Sequence, residues 1–208
     1  MPPGPDVSQP ASDAIVPLWP TWVGQLDLPG AEAPNRALEA LSPGIAPGED
    51  LFLREDAAVR WLRDWVERAI RQWFERMRVA PAPRWSLSGR VDALGFGHYR
   101  ELGNEAGAYL AGMYFVNAPA PPELDGLRSD GRPSHLTLYD PRVGFNALAL
   151  EGDPNLDETR TLPPVPGRLM LWPGYLRHCS RVHLARTPWV RVLLRVDLPA
   201  GQVGVGGA

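Results

Sequence analysis

Gly167-Arg168-Leu169-Met170-Leu171-Trp172-Pro173-Gly174-Tyr175-Leu176-Arg177-His178 reads as a strand, a turn and a histidine set just past the turn. Leu169 to Trp172 is apolar enough for a buried strand. Pro173-Gly174 is a turn pair, because proline offers no N–H to a ladder and glycine accepts the backbone angles of tight turns. Thirteen residues after His178, Arg191 opens the run Arg191-Val192-Leu193-Leu194-Arg195-Val196. Alternate residues of a strand share a face, so Arg191 and Arg195 lie on one side of it.

Upstream, the same texture of short apolar runs separated by turns recurs at Trp85–Leu94, Ala108–Asn117 and Ser134–Tyr139, with Arg168–Trp172 and Val190–Leu198 completing the series. Everything after Pro83 is β-rich. Before it, Glu55 to Val79 is a helix by its spacing: Trp61, Trp65, Ala69, Trp73 and Met77 recur every four residues beside Leu62, Val66, Ile70 and Phe74. Glu55 and Asp56 suit its N-terminal end and Arg76 and Arg78 its C-terminal end, and Pro81 and Pro83 stop it. The Trp61, Trp65 and Trp73 face is expected to pack on the outer side of a sheet. Ile15 to Leu28 reads as an opening strand and turn. The fold class is mainly β with supporting helices (α+β), and sandwich, barrel and jelly roll all fit this spacing.

The 208 residues suit one domain, 13–200, between disordered ends at 1–12 and 201–208. A net charge of −3 lacks the basic excess of a nucleic-acid binder. All 21 basic residues are arginine, which together with the abundant Pro, Gly and Ala reads as a nucleotide-composition bias. A lone cysteine, Cys179, leaves no internal disulfide or Cys-rich zinc site. No apolar run is long enough to span a membrane and no leader opens the chain, so the expectation is a cytoplasmic protein.

The Gly-rich strand, Pro turn, His and later Arg resemble the distal half of a bacterial family of 2OG-Fe(II) oxygenases. Gly107-Ala108-Tyr109-Leu110-Ala111-Gly112-Met113-Tyr114-Phe115-Val116 is similar to that family's strand "PGS-LSGVYYV". Asp140-Pro141-Arg142 is similar to its "DPR" turn, and Leu18-Trp19-Pro20-Thr21 to its opening "LFPT". The shared order of these motifs spans almost the whole chain. The resemblance implies a double-stranded β-helix, a cupin-like jelly roll, using Fe(II) and 2-oxoglutarate for hydroxylation-type oxidation of a small molecule or side chain. It implies His178 as a metal ligand and Arg191 as the bidentate partner of the far carboxylate of 2-oxoglutarate. The hydroxyl of Tyr114, with those of Tyr99 and Tyr109, would be available to the co-substrate.

The chain departs from the family just before the Gly-rich strand, where the pattern is His-x-His or His-x-Asp. Here the two positions are Gly103 and Glu105, in Leu102-Gly103-Asn104-Glu105-Ala106. Residues i and i+2 of an extended segment face one way, so such a pair can present two ligands to one metal. With Gly103 bare, Glu105 is left as the second ligand beside His178, the two expected to face one cavity. His98 refills the site only if its loop rearranges. Halogenating relatives keep both histidines and drop the carboxylate, the reverse of this pattern. The rival reading is a non-catalytic jelly-roll binding protein with an eroded metal site and an anion pocket around Arg191. A cupin-type lyase or isomerase is disfavoured by a total of four histidines. His135 and His183 read as surface or turn residues, and Cys179 as a small core residue rather than a nucleophile.

Overall fold

The structure, a computed structural model, describes residues 21–79, 83–120, 132–142 and 158–199. The expectations for 1–12, for 201–208 and for Leu18-Trp19-Pro20 fall outside them. The chain runs β1 (Gly24–Asp27), α1 (Glu32–Leu41), α2 (Ala57–Arg76), β2 (Ser86–Leu94), β3 (Arg100–Gly103), β4 (Leu110–Phe115), β5 (Leu136–Tyr139), β6 (Thr159–Leu162), β7 (Arg168–Pro173), β8 (His178–Ser180) and β9 (Trp189–Asp197). Two antiparallel sheets result: a major one ordered β1-β7-β4-β9-β2 and a minor one ordered β3-β8-β5-β6. From β2 to β9 the chain passes to the other sheet at every connection except β5–β6, which is the jelly-roll winding.

The winding gives the major sheet two buried faces. Leu110 and Tyr114 of β4 and Val190, Val192, Leu194 and Val196 of β9 point outward onto α2, while Ala111, Met113, Phe115, Met170, Trp172 and Trp189 point inward toward Leu136 and Leu138 of the minor sheet. Hence β4 is buried along its whole length. It carries no solvent-facing row because helix covers one side and sheet the other.

The expected helix at 55–79 forms at Ala57–Arg76, with a different face down. Its buried residues are Ala58, Val59, Leu62, Val66, Ala69, Ile70 and Phe74, while Trp61, Trp65 and Trp73 are only half-buried along the flanks. A row repeating every four residues drifts by about 40° per step around a helix of 3.6 residues per turn, so it cannot stay under one sheet. Trp65 instead lies beneath the Arg68 guanidinium, 5.0 Å from its ring centre. Leu62→Ala should therefore lower unfolding stability by about 2–5 kcal/mol, whereas Trp65→Ala should cost less than about 3 kcal/mol. Denaturant titration of the two variants checks the order.

Candidate functional site

Two backbone contacts bind the β7–β8 turn to the segment before β4. The Glu105 amide donates to the Gly174 carbonyl at 3.0 Å, and the Gly174 amide donates to the Tyr109 carbonyl at 3.1 Å. A Cβ at Gly174 would run into the Ala108 carbonyl, so the approach requires glycine there. This juncture sets Glu105 beside the turn that delivers His178.

His178 is the first residue of β8, and its cross-strand partner on β3 is Gly103. A side chain grown from Gly103 would meet nothing within 4 Å. The Nδ1 of His178 lies 3.1 Å from the Leu176 carbonyl, and its ring stands edge-on to Trp172 with centroids 5.0 Å apart. When Nδ1 donates to that carbonyl, the Nε2 lone pair is left open. Burial pushes the imidazole below its usual range, with the Glu105 carboxylate pulling it partly back. Glu105 has partners of its own: Arg195 Nη1 reaches Oε2 at 3.4 Å and Arg90 Nη2 lies 3.6 Å from Oε1.

Deeper between the sheets, Arg191 is fully buried and faces Asp92, its cross-strand partner on β2. Its Nε donates to Asp92 Oδ2 at 2.7 Å and its Nη1 to Ser180 Oγ at 2.5 Å. Desolvation pushes its pKa down to about 10, still charged at neutral pH, with Asp92 opposing the shift. Burial works to raise the Asp92 carboxyl, yet the guanidinium groups of Arg100 and Arg191 hold it below the usual range.

The sequence candidates divide accordingly. His178 lies near enough to Glu105 and Arg191 for the charges of both to bear on its imidazole, between the two sheets. Tyr114 does not lie there: one residue out of phase with Met113 and Phe115, it points through the outer face and donates to Asn35 Oδ1 at 2.5 Å. Tyr109 stacks on Phe74 on that outer side, and Tyr99 is exposed. His98 sits in the β2–β3 turn, where its carbonyl accepts the His183 amide, at the opposite end of β3 from Gly103. His183 is buried rather than superficial: Ser134 Oγ lies 2.8 Å from its Nδ1 and the Thr187 carbonyl 2.7 Å from its Nε2, so both ring nitrogens are used. Cys179 pairs with Thr137 and lies 3.9 Å from the Tyr139 hydroxyl. Asp92, Ser180 and Arg100 escaped the sequence reading. A signal existed for Asp92, an acidic residue in phase with Arg90 on a strand that must pair with an arginine-bearing one.

Among the described residues no three His, Cys, Asp or Glu side chains gather as a metal site requires. No helix among them is long and apolar enough to cross a membrane.

No family model and no curated protein matches the sequence. Solved structures do match. A prolyl-4-hydroxylase from Pseudomonas putida superposes with a TM-score of 0.57 at 12% identity, covering 86% of this chain and 89% of that one. HygX from Streptomyces hygroscopicus, solved with nickel and 2-oxoglutarate bound, gives 0.55 at 11%, covering 86% and 83%. An oxidoreductase of the 2OG-Fe(II) oxygenase family from Burkholderia pseudomallei gives 0.52 at 10%, covering 84% of each chain. At such identities the likeness establishes the fold: this chain has the jelly roll of the 2OG-Fe(II) oxygenases.

The half-buried His178 has a consequence for stability. An unfolded imidazole titrates near pH ~6.5 while the folded one titrates lower, so the full stability is present above about pH 6.5 and is lost as pH falls toward the folded value. Melting temperatures measured from pH 7.5 to 5.5 should fall more steeply for the parent than for His178→Gln, which cannot take up the proton.

Proposed function

We propose that this chain, built on the oxygenase jelly roll, is an iron(II)/2-oxoglutarate oxygenase-like protein whose metal centre lacks its first histidine, so that it holds iron weakly and turns 2-oxoglutarate over slowly or not at all. The observation that carries this reading is the Gly103–His178 pair: a bare, sterically open position stands directly across the strand from a histidine whose Nε2 is free to ligate.

The residues present do not fit a three-ligand iron site. His178 offers one nitrogen. Glu105 offers a carboxylate that Arg195 and Arg90 already neutralise, and Gly103 offers nothing. A facial triad needs three protein donors so that the remaining positions stay open for co-substrate and oxygen. Hydroxylation-type oxidation of a small molecule or side chain, in the cytoplasm, is the chemistry assigned to the completed fold. The rival, a jelly roll that only binds, is the limit in which the metal is never held.

The test is metal binding and 2-oxoglutarate turnover in the parent, Gly103→His and His178→Ala. Gly103→His should tighten binding of iron(II), or of cobalt(II) as a spectroscopic substitute, by at least about tenfold, the usual scale on which even a supporting ligand interaction acts. Succinate formation by the parent should stay near background. Robust parental turnover abolished by His178→Ala would reject the reading and require another residue to complete the triad. Failure of folded Gly103→His to bind metal would reject the site itself.

A further inference from the structure

The guanidinium of Arg191, which the family resemblance would give to an external carboxylate, is already held by a carboxylate of the chain itself. Its Nε donates to Asp92 Oδ2 at 2.7 Å, and its Nη2 lies 2.6 Å from the same oxygen, close as an ion pair though not aligned as a hydrogen bond. These two nitrogens form one edge of the fork that grips a carboxylate in two places. The remaining nitrogen, Nη1, is taken by Ser180, and the indole of Trp189 lies against the guanidinium at 4.2 Å. On the outer side Arg100 holds the same aspartate.

We propose that Asp92 is the resident carboxylate of the Arg191 site, occupying the place an external dicarboxylate would take, and that neutralising it opens an anion site in the chamber. The proposal rests on the oxygenase-like reading of the fold for the kind of ligand displaced. Its physical basis is independent of that reading. Asp92 and Arg191 are opposite residues within nine consecutive β2–β9 pairs, so their backbones are held face to face by strand register rather than by a movable loop. Displacing Asp92 breaks its buried pairing with Arg191 and leaves it to Arg100 alone, a loss an incoming anion would have to offset before gaining anything. With Asp92 neutral, Arg191 becomes a buried cation lacking a counter-ion, the condition that favours capture of an anion.

Glutarate is the probe, since it carries both carboxylates and lacks the keto oxygen, so its binding needs no metal and is indifferent to Gly103. Calorimetry and the fluorescence of the tryptophans, Trp189 lying against Arg191, follow its titration into the parent, Asp92→Asn, Asp92→Ser and the double variant Asp92→Asn/Arg191→Gln. The expected result is no saturable binding by the parent at millimolar glutarate, binding at least tenfold tighter by either single variant, and its loss in the double variant. Folded single variants that bind no better than the parent would overturn the proposal, as would a parent that binds equally well and loses binding in Arg191→Gln. Should neither single variant fold, crystals of the parent soaked in glutarate decide. Asp92 still seated on Arg191 with no glutarate beside it supports the proposal, and glutarate on Arg191 with Asp92 displaced refutes it.

Discussion

A guanidinium buried between two sheets is the constraint around which this chamber is organised. Removing Arg191 from water is tolerable only if acceptors meet it, and they come from both sheets: Asp92 from β2 and Ser180 from β8. The pairing works in one register alone. Sliding β2 by one residue against β9 would turn Asp92 outward toward α2 and bring Val91 or Ala93 inward, leaving the cation unmatched. The nine-pair β2–β9 ladder and the fully buried Arg191 thus specify each other.

From that pair the electrostatics grade outward to the mouth of the chamber. Asp92 is shared between the buried Arg191 and the exposed Arg100, and Glu105 between Arg195 and Arg90, with Asp197 closing the series on Arg195. Arg191, Asp92 and Glu105 each have a counter-ion from the chain itself. His178 is the exception. It is half-buried, held through Nδ1 by a backbone carbonyl and, across from Gly103, faces a position with room to spare. A histidine held in this way opposite an open glycine is the geometry on which the proposed incomplete metal site rests.

The backbone supports this arrangement independently of side-chain chemistry. The tight docking of Gly174 against Ala108 joins the His178 turn to the Glu105 segment. On the outer face, α2 seals β4 and β9 with Leu62, Val66, Ile70 and Phe74, so that Tyr114, one step out of phase with the chamber, becomes part of the helix interface through Asn35. Burial raises the Tyr114 hydroxyl pKa well above its ordinary value, consistent with a structural donor rather than a reactive group.

Strands with enough residues to show an apolar pattern, β2, β4, β5, β7 and β9, were legible in the sequence, as was α2. The candidate ligand His178 and the gap at Gly103 were read from a motif, and the structure sets these two positions opposite each other on β8 and β3. The strands β3, β6 and β8 were not legible: β3 is exposed throughout, and β6 (Thr-Arg-Thr-Leu) and β8 (His-Cys-Ser) lack the apolar residues that mark β5, itself only four residues long. Tyr114 was misplaced because a motif match names a residue without its face, and strand parity alone decides which side a side chain takes. The Asp92–Arg191 pair lies 99 residues apart along the chain, and nothing local to either residue announces the other. Sequence by itself determined the longer elements and named His178, Glu105 and Arg191 as candidates, both short-range readings of the chain. Which charges meet, which face of α2 is buried and whether Arg191 is free were decided by strand register and sheet order, which exist only once the jelly roll has closed.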